Sequence, residues 1–167
     1  MTSLSTPACA QPNAVLAQGQ PARYRSCVSI SGKPYVLDDQ IGFVLRRVTQ
    51  RHLAIFSGLI PEVTTTQFAA LAKLAELGPL SQNHLGRETA MDAATIKGVV
   101  DRLRRIGLIE TTDDPDDRRR LTVALTDAGR AMIKAALPNA HEVTARTLAP
   151  LSPEDQAALL GLLTRLI

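Results

Sequence analysis

Between Met91 and Arg130 the chain changes hydrophobic period twice within a short span, and few folds accept that. In MDAATIKGVVDRLRRIGLIETTDDPDDRRRLTVALTDAGR, the residues Ile96, Val99, Val100, Leu103 and Ile106 recur at three-four spacing. That spacing predicts a helix with one apolar stripe. Thr95, Lys97, Arg102 and Arg105 fall off the stripe. Gly107 ends the helix, as glycine does in a left-handed C-terminal position. LIETT, the charged segment DDPDDRRR and LTVAL follow, which reads as two short strands around a loop too long for a tight turn. Thr126 opens another helix. A helix, a two-stranded wing and a second helix outline a winged helix-turn-helix.

The residues upstream complete that outline. A first helix is expected from Asp38 to about Gly58, with Ile41, Leu45, Val48, His52, Ile55, Phe56 and Leu59 in period and Asp38 and Asp39 at the positive end of its dipole. Pro61 separates it from the next element. Thr64 and Gln67 have the spacing of a capping box. Phe68, Leu71, Leu74 and Leu77 form the expected buried stripe of helix two, which Gly78-Pro79 ends. Ser81 caps a short helix to about Glu88, with Leu85 inward. A turn, Thr89 to Met91, leads to the basic helix, Asp92 to Ile106, capped by Asp92. A short helix, a tight turn and a basic amphipathic helix are the grammar of a helix-turn-helix.

Downstream, Thr126 caps a long helix to about Leu148, with Ala128, Met132, Ala136, Ala140, Val143 and Thr147 in period. Pro138 is expected to kink it. Ser152, Pro153, Glu154 and Asp155 start a last helix, and Ala158, Leu159, Leu162, Leu163 and Leu166 keep it apolar to its end. The first and last helices lie outside the winged module, and their apolar faces fit burial against a second copy. The expected fold is therefore mainly α with a small β-wing, a winged helix-turn-helix flanked by N- and C-terminal dimerisation helices. The expected divisions are a disordered arm at 1–23, a lead-in and first dimerisation helix at 24–63, a DNA-binding lobe at 64–130 and C-terminal dimerisation helices at 126–167. Tyr24 to Val36 reads as an ordered lead-in with a turn at SGKP, 31–34.

Charge adds direction. The net charge is only +3, but Arg102, Arg104, Arg105, Arg118, Arg119 and Arg120 cluster around the wing, the footprint of a nucleic-acid surface. Aromatic residues make up 3% of the chain, which argues against single-strand binding by base stacking. Cys9 and Cys27 have no metal-ligand spacing, so a reduced, cytoplasmic protein is expected. Neither a signal peptide nor a membrane span is expected. His52, His84 and His141 are scattered. There is no nucleophile elbow, phosphate loop or metal pair, and the Asp113 to Asp117 run lacks the closing Glu of a calcium loop. The expectation is a non-enzyme with no cofactor and no metal.

These motifs resemble those of the MarR family of bacterial transcription regulators. The resemblance rests on Asp117-Arg118-Arg119 followed by Leu125-Thr126-Asp127-Ala128-Gly129-Arg130. It rests also on Thr95, Val99-Val100-Asp101-Arg102-Leu103 and Gly107-Leu108-Ile109, and on Thr64-x-x-Gln67; it covers about Leu37 to the C-terminus. It implies a homodimer on double-stranded DNA, a near-palindromic operator, with two recognition helices in successive major grooves. It further implies a repressor released by a small ligand.

Within that frame, Ala93, Ala94, Thr95, Lys97 and Gly98 are the base-edge and close-approach candidates. Thr95 suits a base or a thymine methyl, and Lys97 a guanine or a phosphate. Arg102 suits phosphate. Ser81, Gln82 and Asn83 suit phosphate at a helix N-terminus, with Ser81 alone equally explained as a plain cap. Arg119 is the candidate for the minor groove, oriented by Asp117, with Arg118 and Arg120 as phosphate contacts or supports.

The effector is expected to be a small aromatic acid or phenol. Phe43, Phe56 and Phe68 are expected to wall a pocket between helices one, two and five, with Arg47, Arg51 and His52 as polar groups. His52 is equally explained as a structural histidine at the dimer seam. Peroxide sensors of the family carry Cys where this chain has Gly42, in Leu37-Asp38-Asp39-Gln40-Ile41-Gly42-Phe43, which disfavours thiol sensing through Cys27. The helix-one stretch resembles that of nicotinate-catabolism repressors, which implies a hydroxylated nicotinate. The competing readings are a winged-helix protein-interaction module and a thiol-based regulator using Cys27.

Overall fold

A computed structural model describes residues 28–30, 33–113 and 121–167. The chain divides between Asp38 and Asp39 into two compact units. In the first, β1 (Val28–Ile30) pairs antiparallel with β2 (Lys33–Tyr35). Ile30 stands opposite Lys33; residues 31–32 of the expected SGKP turn lie outside the described residues. Pro34 is tolerated because a two-stranded sheet has only edge strands. The arm at 1–23 and both cysteines lie outside the described residues.

The unit from Asp39 onward holds α1 (Ile41–Leu59), α2 (Thr65–Leu77), β3 (Leu80–Ser81), α3 (Gln82–Glu88), α4 (Ala93–Arg105), β4 (Ile109–Asp113), β5 (Leu121–Leu125), α5 (Asp127–Leu148) and α6 (Pro153–Thr164). The strands form one antiparallel sheet in the order β3-β5-β4. The two expected wing strands pair as β4 with β5, and the structure adds a third strand to their sheet: Leu80 and Ser81 pair with Val123 and Thr122. Two residues are too few to show a period of two.

The expected caps are present. Thr64 Oγ1 accepts from the Gln67 N–H, and Gln67 Oε1 accepts from the Thr64 N–H at 2.9 Å. Ser81, Asp92, Thr126 and Ser152 each accept the backbone N–H three residues on. The start of α1 differs from the sequence expectation. Asp38 and Asp39 belong to a 3-10 turn, Leu37–Asp39, and the extended backbone of Gln40 separates that turn from the helix. Pro138 lies inside α5, which continues across it.

One core joins α1 through α5 and the sheet, while α6 buries no residue. Phe56 and Ile60 of α1 and its C-terminal cap, Leu71 and Leu74 of α2, Leu85 of α3, Ile96, Val100 and Leu103 of α4, Val123 of β5 and Ile133 and Val143 of α5 are all buried in it. Each such side chain contributes about 1.5–3 kcal/mol relative to exposure. The stripes run out at helix ends: Leu77 and Ile106, expected inward, are about half exposed. On α5 the buried line begins at Gly129 and Ile133 rather than at Ala128. Ile41, Leu45 and Val48 on α1 and Leu160, Leu162 and Leu166 at the chain's end are exposed in the single chain.

Candidate nucleic-acid interface

Helix α4 is held from beneath and from both ends. Ile96, Val99, Val100 and Leu103 bury one face. At its N-terminus, Asp92 Oδ1 accepts the Thr95 N–H at 2.7 Å. The same hydrogen bond holds the Asp92 carboxyl below its usual range, because it favours the ionised form. At its C-terminus, Gly107 takes φ +77°. The Leu108 N–H donates to the Leu103 carbonyl and the Gly107 N–H to the Arg104 carbonyl, a Schellman closure that satisfies otherwise orphaned acceptors.

The turn into α4 is tight. Met91 N–H donates to the Gly86 carbonyl at 2.9 Å. A Cβ on Gly86 would meet the Met91 carbonyl oxygen at 3.2 Å and Ile96 at 3.3 Å, so glycine lets α3 close on α4. Ala90 takes the left-handed conformation, φ 51°, a cost of about 1–2 kcal/mol for an L-residue.

The opposite face of α4 is open. Ala93, Ala94, Thr95, Lys97, Gly98 and Arg102 are all exposed. A Cβ on Gly98 would meet nothing within 4 Å, so no neighbour among the described residues requires glycine there. A mid-helix glycine costs about 1 kcal/mol, and close approach of another molecule's surface is the compensation available. Arg104 pairs with Asp101 at 3.2 Å, whereas Arg102 has no acidic partner among the described residues. Ser81 and Gln82 are half-buried and Asn83 is exposed. Ser81 is both the cap of α3 and a strand residue. Asp117, Arg118, Arg119 and Arg120 lie outside the described residues, between β4 and β5.

Of the six effector candidates, Phe43, Arg47, Arg51, His52 and Phe56 lie on α1 and Phe68 on α2. Arg47 lies over the Phe43 ring at 5.9 Å. Arg51 Nη2 donates to the Arg146 carbonyl at 3.0 Å, and His52 Nδ1 meets Thr147 Oγ1 at 3.1 Å. Thr147 spends its single hydroxyl proton on the Val143 carbonyl at 2.7 Å. His52 Nδ1 is therefore the donor in this pair. Phe56 and Phe68 meet edge to face with centroids 5.6 Å apart. Phe56 also lines a cavity of about 640 Å³ at the end of α1, bounded by α2 and by Arg102 and Ile106. Sequence reasoning did not assign this cavity. Its lining comes from separate stretches of α1, the α1–α2 connection, α2 and α4, and no local motif marks it.

No described helix is long and apolar enough to cross a membrane. No cluster of three metal-ligating side chains occurs among the described residues.

The MarR family model matches residues 63–121, from the start of α2 to the start of β5. The transcriptional repressor NicR of Pseudomonas putida is 38% identical over 144 residues, spanning 85% of this chain and 91% of NicR. A probable transcriptional regulator from Pseudomonas aeruginosa has a solved structure with 57% identity and a TM-score of 0.77, covering 79% of this chain and all of that one. Bordetella bronchiseptica BpsR, whose DNA binding is regulated by 6-hydroxynicotinic acid, aligns at 38% identity and a TM-score of 0.73, over 77% of this chain and 98% of BpsR. With a helix-turn-helix closed by caps, a small sheet behind it and an exposed basic recognition face, the chain belongs to the MarR family of DNA-binding transcription regulators.

Proposed function

We propose that the protein acts as a homodimer in the bacterial cytoplasm. It represses transcription from a near-palindromic operator and is released by a small aromatic acid, a hydroxylated nicotinate being the favoured class. The observation that carries the DNA reading is the two-sidedness of α4. Its buried side fixes the helix, while Thr95, Lys97 and Gly98 stand free on the other side. Thr95 and Lys97 read base edges in the major groove. Arg102 and the N-terminal turn of α3, with Ser81, Gln82 and Asn83, take phosphates. From its place in the sequence between β4 and β5, Arg119 enters the minor groove, with Asp117 and Arg118 beside it.

Dimerisation is supported by the exposed apolar residues of α1 and of the C-terminal end, because a monomer would leave Ile41, Leu45, Val48, Leu162 and Leu166 in water. The effector class is supported by NicR and by BpsR, which responds to 6-hydroxynicotinic acid. A gel-shift titration against the gene's own upstream region tests the whole reading. The expected result is a sequence-selective shift, weakened steeply by salt and reversed by 6-hydroxynicotinic acid. A protein that shifts no such fragment at low salt is not an operator-binding regulator of that region, and an interaction module becomes the better reading. Arg119→Ala is expected to lose most operator affinity while the dimer persists by size-exclusion chromatography.

A further inference from the structure

Two of the poorest helix formers, Pro138 and Asn139, stand side by side inside α5. Proline has no N–H to give the Lys134 carbonyl, and asparagine competes with the helix for backbone partners. A local conflict of this kind, kept inside a long helix, marks a place where something other than helix stability is served.

Pro138 divides α5 by what each part holds. Before it, Gly129, Ile133 and Ala136 are buried in the core of the lobe. The Thr126 hydroxyl and N–H bond to the Gly107 and Leu108 carbonyls. Glycine at 129 lets the helix lie against Leu108, whose carbonyl oxygen a Cβ would meet at 2.0 Å. After Pro138, α5 is tied to α1 instead. The Arg146 carbonyl and the Thr147 hydroxyl receive Arg51 and His52, and Asn139 Nδ2 donates to the Leu59 carbonyl at 2.9 Å. Leu59 is the last residue of α1, so its carbonyl has no partner within that helix. Helix α1 enters the core only at this end, through Phe56 and the adjoining Ile60.

The Asn139–Leu59 bond therefore spans the proline. Its acceptor rides on the end of α1 that is fixed in the lobe, and its donor lies on the part of α5 beyond the interruption. The Arg51 and His52 bonds lie about two helical turns farther along, so the two levels together set a direction as well as a position. A cavity of about 140 Å³ opens beside Leu59, Ala136 and Asn139. Close packing resists bending, and at this crossing it is incomplete.

We propose that Asn139 is a positioning residue for operator recognition. Its amide braces the angle between the α1–α5 helix pair and the DNA-binding lobe, and so limits the range of half-site spacings that the dimer accepts. The inference rests on the dimeric operator reading above and deepens it. Without the brace, α5 can bend at Pro138, and the lobe carries α4 with it.

Gel-shift titrations of the full chain test this, on the upstream fragment that it shifts and on a version with two base pairs inserted at the centre of the near-palindrome. Each inserted pair displaces one half-site by about 3.4 Å and turns it by about one-tenth of a helical turn. The wild type is expected to bind the widened fragment about tenfold or more weakly, the scale of a mismatched base pair. Asn139→Ala is expected to lose about threefold or less on the same scale, and Asn139→Asp, which keeps the size but cannot donate, to follow it. Pro138→Ala in the Asn139→Ala background returns a helical donor to the Lys134 carbonyl and is expected to restore the wild-type discrimination. Asn139 is exposed and alanine is the better helix former, so the melting midpoint and the dimer seen by size-exclusion chromatography should persist in Asn139→Ala. If wild type and Asn139→Ala discriminate the two fragments equally, the brace is overturned and the operator reading stands. If the wild type shifts no upstream fragment, or is a monomer, the operator reading fails and takes this assignment with it.

Discussion

The hydroxyl of Thr126 donates to the Gly107 carbonyl oxygen at 2.7 Å, joining the start of α5 to the end of α4. The Thr126 hydroxyl oxygen in turn accepts the Gly129 N–H at 3.1 Å as the cap of α5, and the Thr126 N–H donates to the Leu108 carbonyl. One residue thus closes one helix and opens another. Thr126→Val keeps the shape and removes the hydroxyl. It is expected to cost about 1–2 kcal/mol, read as a melting midpoint lower by roughly 2–8 °C. Thr126→Ser should recover most of the stability. Equal midpoints for all three proteins would remove the tie from the stability of the lobe.

Thr95 and Lys97 are expected to separate when assayed for sequence preference. Thr95→Ala relaxes the preference at one operator position by about 1–3 kcal/mol and leaves the salt slope unchanged. Lys97→Ala is expected to weaken operator binding at least tenfold. Arg102→Gln removes a cation from the phosphate backbone. It flattens the plot of log affinity against log salt by about 0.9 for each phosphate no longer neutralised, once in each half-site. Binding selections on randomised half-sites, with salt titrations, check all three.

Ala90 holds the helix-turn-helix turn in a left-handed conformation. Ala90→Gly removes a strain of about 1–2 kcal/mol, and the freer unfolded chain returns about 0.4–1 kcal/mol. A net gain of roughly 0.5–1 kcal/mol follows from these two magnitudes, measured by urea unfolding. Ala90→Val is expected to lose stability, since a β-branched side chain tolerates that backbone less well.

The Asp92 carboxyl is held below its ordinary value of 3.8, chiefly by the Thr95 N–H. A carboxyl lowered on folding adds stability that is fully present above its unfolded value and is lost as pH falls through the folded one. The wild type is therefore expected to lose this contribution on acidification from about pH 4 downward. Asp92→Asn should lack that component of the pH profile, and Asp92→Ala, which removes the cap, should lower stability at neutral pH. Denaturant unfolding from neutral pH down to about pH 3, below the ordinary carboxylate value, reads the difference between wild type and Asp92→Asn directly.

What the residues declare is what is local. Thr64 with Gln67, Ser81, Asp92, Thr126 and Ser152 announce their helices because a cap needs only the next three residues. The α4 stripe from Ile96 to Leu103 is legible for the same reason. Ile106 and Leu77 read as inward and are not, because the last turn of a helix leaves the surface it packs on, and periodicity carries no information about where that surface ends. Asp38 resembles a helix start because acids suit one, and only the extended backbone of Gln40 shows otherwise. Gly129 gives no sign of its role in the sequence. A Cβ there would stand 2.0 Å from the Leu108 carbonyl oxygen, a contact between residues far apart along the chain. The same distance limit hides the cavity beside Arg102, which α1, α2 and α4 line together, while Gln67 reads in the sequence only as half of a capping box.

The two-residue strand β3 has a mechanical consequence. Leu80 and Ser81 are stitched to β5, and Ser81 is also the residue on which α3 begins. Ser81 therefore ties the sheet directly to the start of α3. On the proposed reading, α4 and the strands on either side of the wing then belong to one arm. The distance between what a half-site offers in the major groove and what it offers in the adjacent minor groove is then a constant of the subunit. Conformational adjustment is left with one variable, the separation of the two arms, so operators for this protein should vary in the spacing of their half-sites and not in their internal length.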